Sequence, residues 1–183
     1  MRELTLHLLD IAENSISAGA RNIKIQIEEN INNDLLKLVV SDDGRGMSEE
    51  TVNKVIDPFV TSRTTRKVGL GIPLLKEAAE ACNGSFSLTS TLGKGTELSV
   101  QFQRSHIDRM PLGDVSTTFQ NLFFSNPLIH WFFEYRIDEK EFVFDDRDIK
   151  AELQGVSLTE PEIIRVIRDL FESGLQDIKV GGK

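Results

Sequence analysis

Asp10 and Asn14 stand four residues apart in LHLLDIAENSISAGA, and Glu3, His7 and Ser17 continue the same helical strip. Leu4, Leu8, Leu9, Ile11, Ala12 and Ile16 fill most of the remaining circumference, which predicts a helix buried nearly all round. Carboxylates and amides inside a core cost free energy unless they are hydrogen-bonded or bind something. The strip is therefore expected to wall a polar pocket, the alternative being the wet side of a surface helix.

Three further stretches carry chemistry. SDDGRGM, Ser41 to Met47, leaves a strand with an acid ahead of Gly44 and Gly46 and then enters a helix, an arrangement that lets the backbone approach a flat ligand closely. Asp42, at the strand end, is placed to accept a hydrogen bond from an exocyclic amine such as that of adenine. DPFVTSRTTRKVGLGIPLLK has no acid between Pro58 and Lys76 and clusters Arg63, Arg66 and Lys67 with four hydroxyl residues, so it reads as a local anion site. Gly69 and Gly71 then run into a helix start, where backbone N–H groups bind phosphate readily. LGKGTELSV adds a Gly-x-Gly-Thr turn in which Thr96 can bond the same ligand. The spacing is not that of a Walker A loop, and no strand precedes the glycines as a Rossmann fingerprint requires.

The elements that must hold these residues are legible from periodicity. Ile23, Ile25 and Ile27 alternate, as do Leu36, Leu38 and Val40, predicting two half-buried strands joined by a turn around NINND. MSEETVNKVI reads as a short helix with Ser48 as N-cap, ended by Pro58. IPLLKEAAEACNG reads as a longer helix with Pro73 in its first turn and Gly84 as its stop. SFSLTST and GTELSVQFQ make a hairpin around LGKG. The expected fold class is α+β, with helices on one face of a mixed or antiparallel sheet.

Most of the aromatic residues fall between Phe119 and Phe144, which predicts a second small core over residues 105–183. LGDVSTTFQNLFF has helical spacing and LIHWFFEYRIDEKEFVFDD reads as a hairpin turning near Asp138 to Lys140. EPEIIRVIRDLFESGLQDI reads as an amphipathic helix with Ile163, Ile167, Leu170, Phe171 and Leu175 on one face.

The 183 residues, 39% hydrophobic, can bury a real core, and the net charge of −8 argues against a general nucleic-acid or anionic-membrane binder. Cys82 is the only cysteine, which excludes an intramolecular disulfide and a cysteine-based metal site. MRELTLHLLD lacks a signal-peptide pattern and no apolar run nears the roughly 18 residues of a membrane span, so a cytoplasmic location is expected.

In chain order, DIAENSISAGA, DDGRGM, DPFVTS, GLGI and GKGT resemble the N box, first glycine box, F box, second glycine box and third glycine box of the Bergerat-fold ATP-binding domain shared by histidine kinases, anti-sigma serine kinases, gyrase, MutL and Hsp90. The resemblance covers residues 1–104 and implies a Bergerat-fold sandwich there, while residues 105–183 are expected to form a small α/β extension that serves as a partner or dimer surface. It implies that Asn14 holds Mg²⁺, that Asp42 reads adenine N6, and that Gly44, Gly46, Gly69, Leu70 and Gly71 frame the nucleotide, with Thr96 bonding through water. Met47 and Lys94, inside the matched boxes, and the lid cations Arg63, Arg66 and Lys67 join the expected ATP-binding set.

Asp10 is the expected catalytic base, facing the γ-phosphate. The family's ATPases and serine kinases usually carry Glu there, and histidine kinases commonly Asn. The Asp carboxylate is retracted by about 1.5 Å, and misplacement of that order costs about 100-fold, so slow ATP hydrolysis at best is expected. Glu13 projects away from the strip. The short lid, Thr61 to Val68, is closer to the kinase branch than to gyrase or MutL. The resemblance thus implies a regulatory protein kinase of the anti-sigma serine-kinase type, acting on a hydroxyl of a partner protein. A non-catalytic ATP switch and a modest ATPase are the alternatives. SHIDRMPL, Ser105 to Leu112, echoes the histidine-kinase phosphoacceptor box through His106, Arg109, Pro111 and Leu112, but it follows the ATP domain instead of preceding it.

Overall fold

The computed structural model describes residues 3–57, 71–153 and 155–179. Its elements are α1 (Leu4–Ser17), β1 (Asn22–Asn30), β2 (Leu35–Asp42), α2 (Glu49–Ile56), α3 (Gly71–Ala81), β3 (Ser85–Thr91), β4 (Gly95–Gln103), α4 (Val115–Ser125), β5 (His130–Ile137), β6 (Lys140–Asp145), α5 (Asp146–Glu152) and α6 (Pro161–Lys179). The strands form one sheet in the order β3-β4-β2-β1-β5-β6. β1 and β5 pair in parallel and the other neighbours are antiparallel, so the sheet is mixed.

Register explains how the core is built. Residues directly opposite each other share a face, and two apolar rows cross all six strands. One is Leu88, Leu98, Val40, Ile25, Phe133 and Phe144, and the other is Phe86, Val100, Leu38, Ile27, Tyr135 and Phe142. Helices cover these rows, and the opposite face carries Lys24, Gln26, Lys37, Ser99 and Glu134. At one end of the covered face the next row runs Ser90, Thr96, Asp42, Ile23 and Trp131. Its β3, β4 and β2 members are polar, so the floor beneath the helices changes there from hydrocarbon to hydrogen-bonding groups.

The predicted strands and helices form largely where the periodicity put them. Thr51 N–H donates to the Ser48 hydroxyl at 3.3 Å, and α2 ends at Ile56; Pro58, its expected stop, lies outside the described residues. Several expectations are corrected. The first helix is not buried nearly all round: Leu6 is 40% exposed, and Asn14 and Ser17 also face outward. The stop after α3 is Asn83, which takes the left-handed conformation with φ 53°. Gly84 is required for another reason, since a Cβ there would overlap the Gln101 carbonyl oxygen of the neighbouring strand. On α6, Leu170 is 46% exposed, and Ile178 completes the buried stripe of Ile167, Phe171 and Leu175. The short helix α5 follows β6 without a loop and was hidden by its polar sequence, DRDIKAE.

The aromatic region does not build a core of its own. Phe119, Phe123, Trp131, Phe133, Phe144 and Phe171 belong to the same buried cluster as Leu4, Ile25 and Leu38. The reason is the parallel pairing of β5 with β1, which continues the first sheet where a separate layer would otherwise begin. Among the described residues, no helix is long and apolar enough to cross a membrane.

Candidate nucleotide pocket

The polar end of the covered face is closed by α1. Ser15, buried on the helix, donates its hydroxyl to Asp42 Oδ2 at 2.6 Å, and Gly44 N–H donates to Asp42 Oδ1 at 2.8 Å. Each carboxylate oxygen has two lone pairs, so two donors fix the group while leaving acceptor capacity on both oxygens. Ser15 was not singled out from sequence. Its signal is a small hydroxyl among the apolar positions of α1, one turn after Ile11.

The glycine loops interlock behind this carboxylate. Gly46 has φ 63°, and a Cβ there would overlap the Thr91 carbonyl oxygen. Gly95 has φ 107°, and a Cβ there would overlap the carbonyl oxygen of Asp42 itself. A Cβ on Gly44 would come within 2.9 Å of both Ala18 Cβ and Asp42 Oδ1. Gly93 N–H donates to Arg45 O at 2.8 Å, joining the hairpin tip to the first glycine loop. Ser90, another residue missed from sequence, ties the set together: it accepts from Met47 N–H at 2.8 Å, lies 2.8 Å from Thr96 Oγ1 and donates to Gly95 O at 2.9 Å.

Asp43, beside Asp42, is structural. It accepts from Arg21 N–H at 2.7 Å, from Asn22 N–H at 2.8 Å and from Asn22 Nδ2 at 2.6 Å, fastening the corner between α1 and β1. Loss of water around it opposes ionisation, but the hydrogen bonds from Asn22 and Arg21 prevail and hold its carboxyl below the ordinary value.

The helix strip divides along its length. His7 is buried; burial pushes its pKa down, against a hydrogen bond to the Gly71 backbone that raises it. The Gly71 backbone, half-buried at the start of α3, lies near this ring. Asp10 is half-buried and Asn14 exposed, one turn apart on the same side, and neither side chain makes a hydrogen bond among the described residues. Lys94 is exposed on the β3–β4 turn. The structure therefore gathers Asp42, Gly44, Gly46, Met47 and Thr96 around one network and sets Asp10 and Asn14 on the helix above it, while Lys94 stands at the rim. Arg63, Arg66, Lys67, Gly69 and Leu70 lie outside the described residues.

His106 sits elsewhere. It follows β4, at the end where Gln103 pairs with Leu35, whereas Asp42 pairs with Thr96 at the other end. That separation along the strands is roughly 23 Å. The segment forms turns, and His106 Nδ1 accepts from Asp108 N–H at 3.2 Å.

Residues 2–106 match the profile of the histidine kinase-, DNA gyrase B- and HSP90-like ATPase family. Similar proteins include the non-motile and phage-resistance protein of Caulobacter vibrioides, 30% identical over 56% of this chain and 13% of that protein. A putative NtrY-like sensor histidine kinase of Rickettsia conorii is 24% identical over 59% of this chain and 18% of its own length. The sensor histidine kinase YvrG of Bacillus subtilis is 26% identical over 53% and 17%. The chain thus spans less than a fifth of these relatives. Among solved structures, the MutL ATPase domain of Aquifex aeolicus complexed with ADP aligns with 79% of this chain and 63% of that one, at 16% identity and a TM-score of 0.47.

Proposed function

The chain belongs to the histidine kinase-, DNA gyrase B- and HSP90-like ATPase family, and on that premise we propose that it binds Mg-ATP in the pocket between α1 and the polar end of the sheet and acts as a regulatory protein kinase on a hydroxyl of a partner protein. The observation that carries the binding reading is the Asp42 carboxylate. It is held from two sides by Ser15 and Gly44 yet keeps lone pairs to spare, as an acceptor for the exocyclic amine of adenine must. Thr96, already bonded to Ser90, is oriented to share a water with the same base.

The residues present also fit the metal and the phosphates. Asn14 offers an amide oxygen that no described residue engages, and Mg²⁺ is bound through few protein ligands while it keeps waters and substrate phosphates; when bound, it would supply charge neutralisation of the phosphate oxygens. Asp10, one turn earlier, would accept the proton of an attacking hydroxyl or water. Arg63, Arg66 and Lys67 would pair with the phosphates, and Gly69, Leu70 and Gly71 would approach them through the backbone. Lys94 remains a candidate phosphate contact from the rim. A cytoplasmic setting fits such a kinase. Residues 105–183 would supply the partner or dimer surface.

One observation favours a second reading, a non-catalytic switch in which nucleotide biases partner binding. Among the described residues no hydrogen bond orients the Asp10 carboxylate, whereas a general base is normally held in place by a third group.

Calorimetric titration with Mg-ATP tests the pocket. Asp42→Asn removes a charge-assisted acceptor, worth about 1.5–3 kcal/mol, so its affinity should fall by roughly 10- to 150-fold; Asn14→Ala should lose the Mg²⁺ dependence. Unchanged binding in both variants would refute the site. Asp10→Asn then separates the readings, since it should abolish transfer by a kinase while leaving binding intact.

A further inference from the structure

On the open side of the sheet, beyond the residues matched by the family, we propose that His130, Asp145 and Asp146 form a binding site for a divalent first-row transition cation of the zinc or cobalt type. The argument begins with a tautomer. His130 is in register with Asn22 across the parallel β1–β5 pair, and its Nδ1 lies 2.8 Å from Asn22 Oδ1. The Asn22 amide cannot be reversed, because its Nδ2 donates to the carboxylate of Asp43 at 2.6 Å. An amide oxygen only accepts, so Nδ1 carries a hydrogen, and Nε2, which accepts from Arg147 Nε–H at 3.0 Å, presents its lone pair.

That lone pair faces acid. Asp145 Oδ1 is 2.9 Å from Nε2 and Asp146 Oδ1 is 3.7 Å from it. Asp146 is fully buried, and its Oδ1 has no hydrogen-bond partner. Lys150 Nζ lies 2.6 Å from its Oδ2, as an ion pair outside hydrogen-bond alignment, and turns a proton to Ile129 O at 2.8 Å. Two carboxylate oxygens around an imidazole lone pair repel unless a positive charge sits among them. The three atoms lie within 4.8 Å of one another, and since an ion with bonds of about 2.0–2.2 Å holds its ligands at most about 4.4 Å apart, binding draws the carboxylates inward by a few tenths of an ångström. One imidazole whose other nitrogen is hydrogen-bonded, with two carboxylates, is the donor set of borderline transition ions; Mg²⁺ and Ca²⁺ favour oxygen alone.

In the conformation described, the Arg147 guanidinium supplies that charge, with Nε 3.0 Å from His130 Nε2. Its side chain is 71% exposed. A metal ion therefore competes with Arg147 for one lone pair, and the loss of that arginine must favour the metal.

The test uses the full chain, stripped with a chelator and titrated with ZnCl₂ by calorimetry and with CoCl₂ by visible absorption. One equivalent should bind, tighter in Arg147→Ala and at least about tenfold weaker in His130→Gln and Asp146→Asn. The cobalt spectrum should lose its imidazole-dependent band in His130→Gln. Arg147 is exposed, so its alanine variant is expected to fold even if the buried substitutions fail. Absence of saturable binding in both wild type and Arg147→Ala would overturn the proposal and leave the cluster an ion-pair network. Binding that His130→Gln does not weaken would overturn it as well.

Discussion

Ser15 Oγ reaches Asp42 Oδ2 across 2.6 Å and so joins the last turn of α1 to the last residue of β2. The bond makes the position of the Asp42 carboxylate depend on how the helix is seated. A pocket residue is thereby held by the packing of the core, with Ile11 and Ala12 buried immediately before Ser15 on the same helix.

Ser15→Ala removes that donor while leaving the helix backbone alone. Asp42 keeps Gly44 N–H but loses its second restraint. We expect a stability loss of about 1 kcal/mol and a several-fold rise in the Kd for Mg-ATP. Ser17→Ala, at an exposed position on the same helix, should change neither. Thermal denaturation and calorimetry on the pair check this.

Two glycines of positive φ separate strain from collision. Gly93, φ 74°, has nothing within 4 Å of an added Cβ, whereas Gly46, φ 63°, would drive its Cβ into the Thr91 carbonyl. Gly93→Ala should cost only the left-handed penalty, about 1–2 kcal/mol. Gly46→Ala must also push the first glycine loop off the β3–β4 hairpin, so a larger loss is expected, with nucleotide binding impaired. Equal denaturation midpoints for the two variants would contradict the interlocked geometry.

His7 makes stability depend on pH. Burial lowers its pKa in the folded chain from the ordinary 6.5, more than its bond to the Gly71 backbone restores. The unfolded chain therefore binds the proton first as the pH falls, and protonation favours unfolding. The contribution is intact above 6.5 and is lost progressively below it. The melting temperature should fall between pH 7 and 5 more steeply in wild type than in His7→Gln. Asp34, whose hydrogen bonds from Ser105 and Gln103 lower its pKa, and Asp114, bonded by Thr117, act in a lower window, losing their stabilisation as the pH falls below the ordinary 3.8.

What the sequence discloses follows from what is local. Alternation at Ile23, Ile25 and Ile27 and at Leu36, Leu38 and Val40 reports burial of one sheet face directly, and the Ser48 cap is a contact of three residues' span. The glycine boxes are legible because only glycine fits against a neighbouring carbonyl at Gly46 and Gly95. Ser15 and Ser90 were not legible, since their roles depend on partners 27 and 43 residues away. The burial of α1 was overestimated because a strip of apolar residues cannot say which side has a neighbour: Leu6 is half outside. The joining of the two aromatic and aliphatic cores depends on β5 choosing the free edge of β1, a long-range pairing that composition does not encode.

That pairing bears on whether the extension is a separate domain. β5 runs beside β1 from Asn22 to Glu29, and a chain ended at residue 106 would expose this stretch as an open edge rich in isoleucine, the kind of edge that promotes aggregation. It would also lose Pro111 O and Leu112 O, which accept from Leu4 and Thr5 N–H and satisfy the first turn of α1 at 3.0 and 2.9 Å. Phe171 supplies the sharper test. It is fully buried and touches the rings of Phe119, Phe133, Phe142 and Phe144. Phe171→Ala should cost about 3–5 kcal/mol and, if the sheet is one cooperative unit, shift a single unfolding transition monitored both by far-ultraviolet circular dichroism and by nucleotide binding. Two transitions, with nucleotide binding lost only in the later one, would instead make residues 105–183 an independently folding appendage. The shared rows, in which Ile25 faces Phe133 and Ile27 faces Tyr135, favour the single transition, because neither strand can leave without stripping the other of its neighbour.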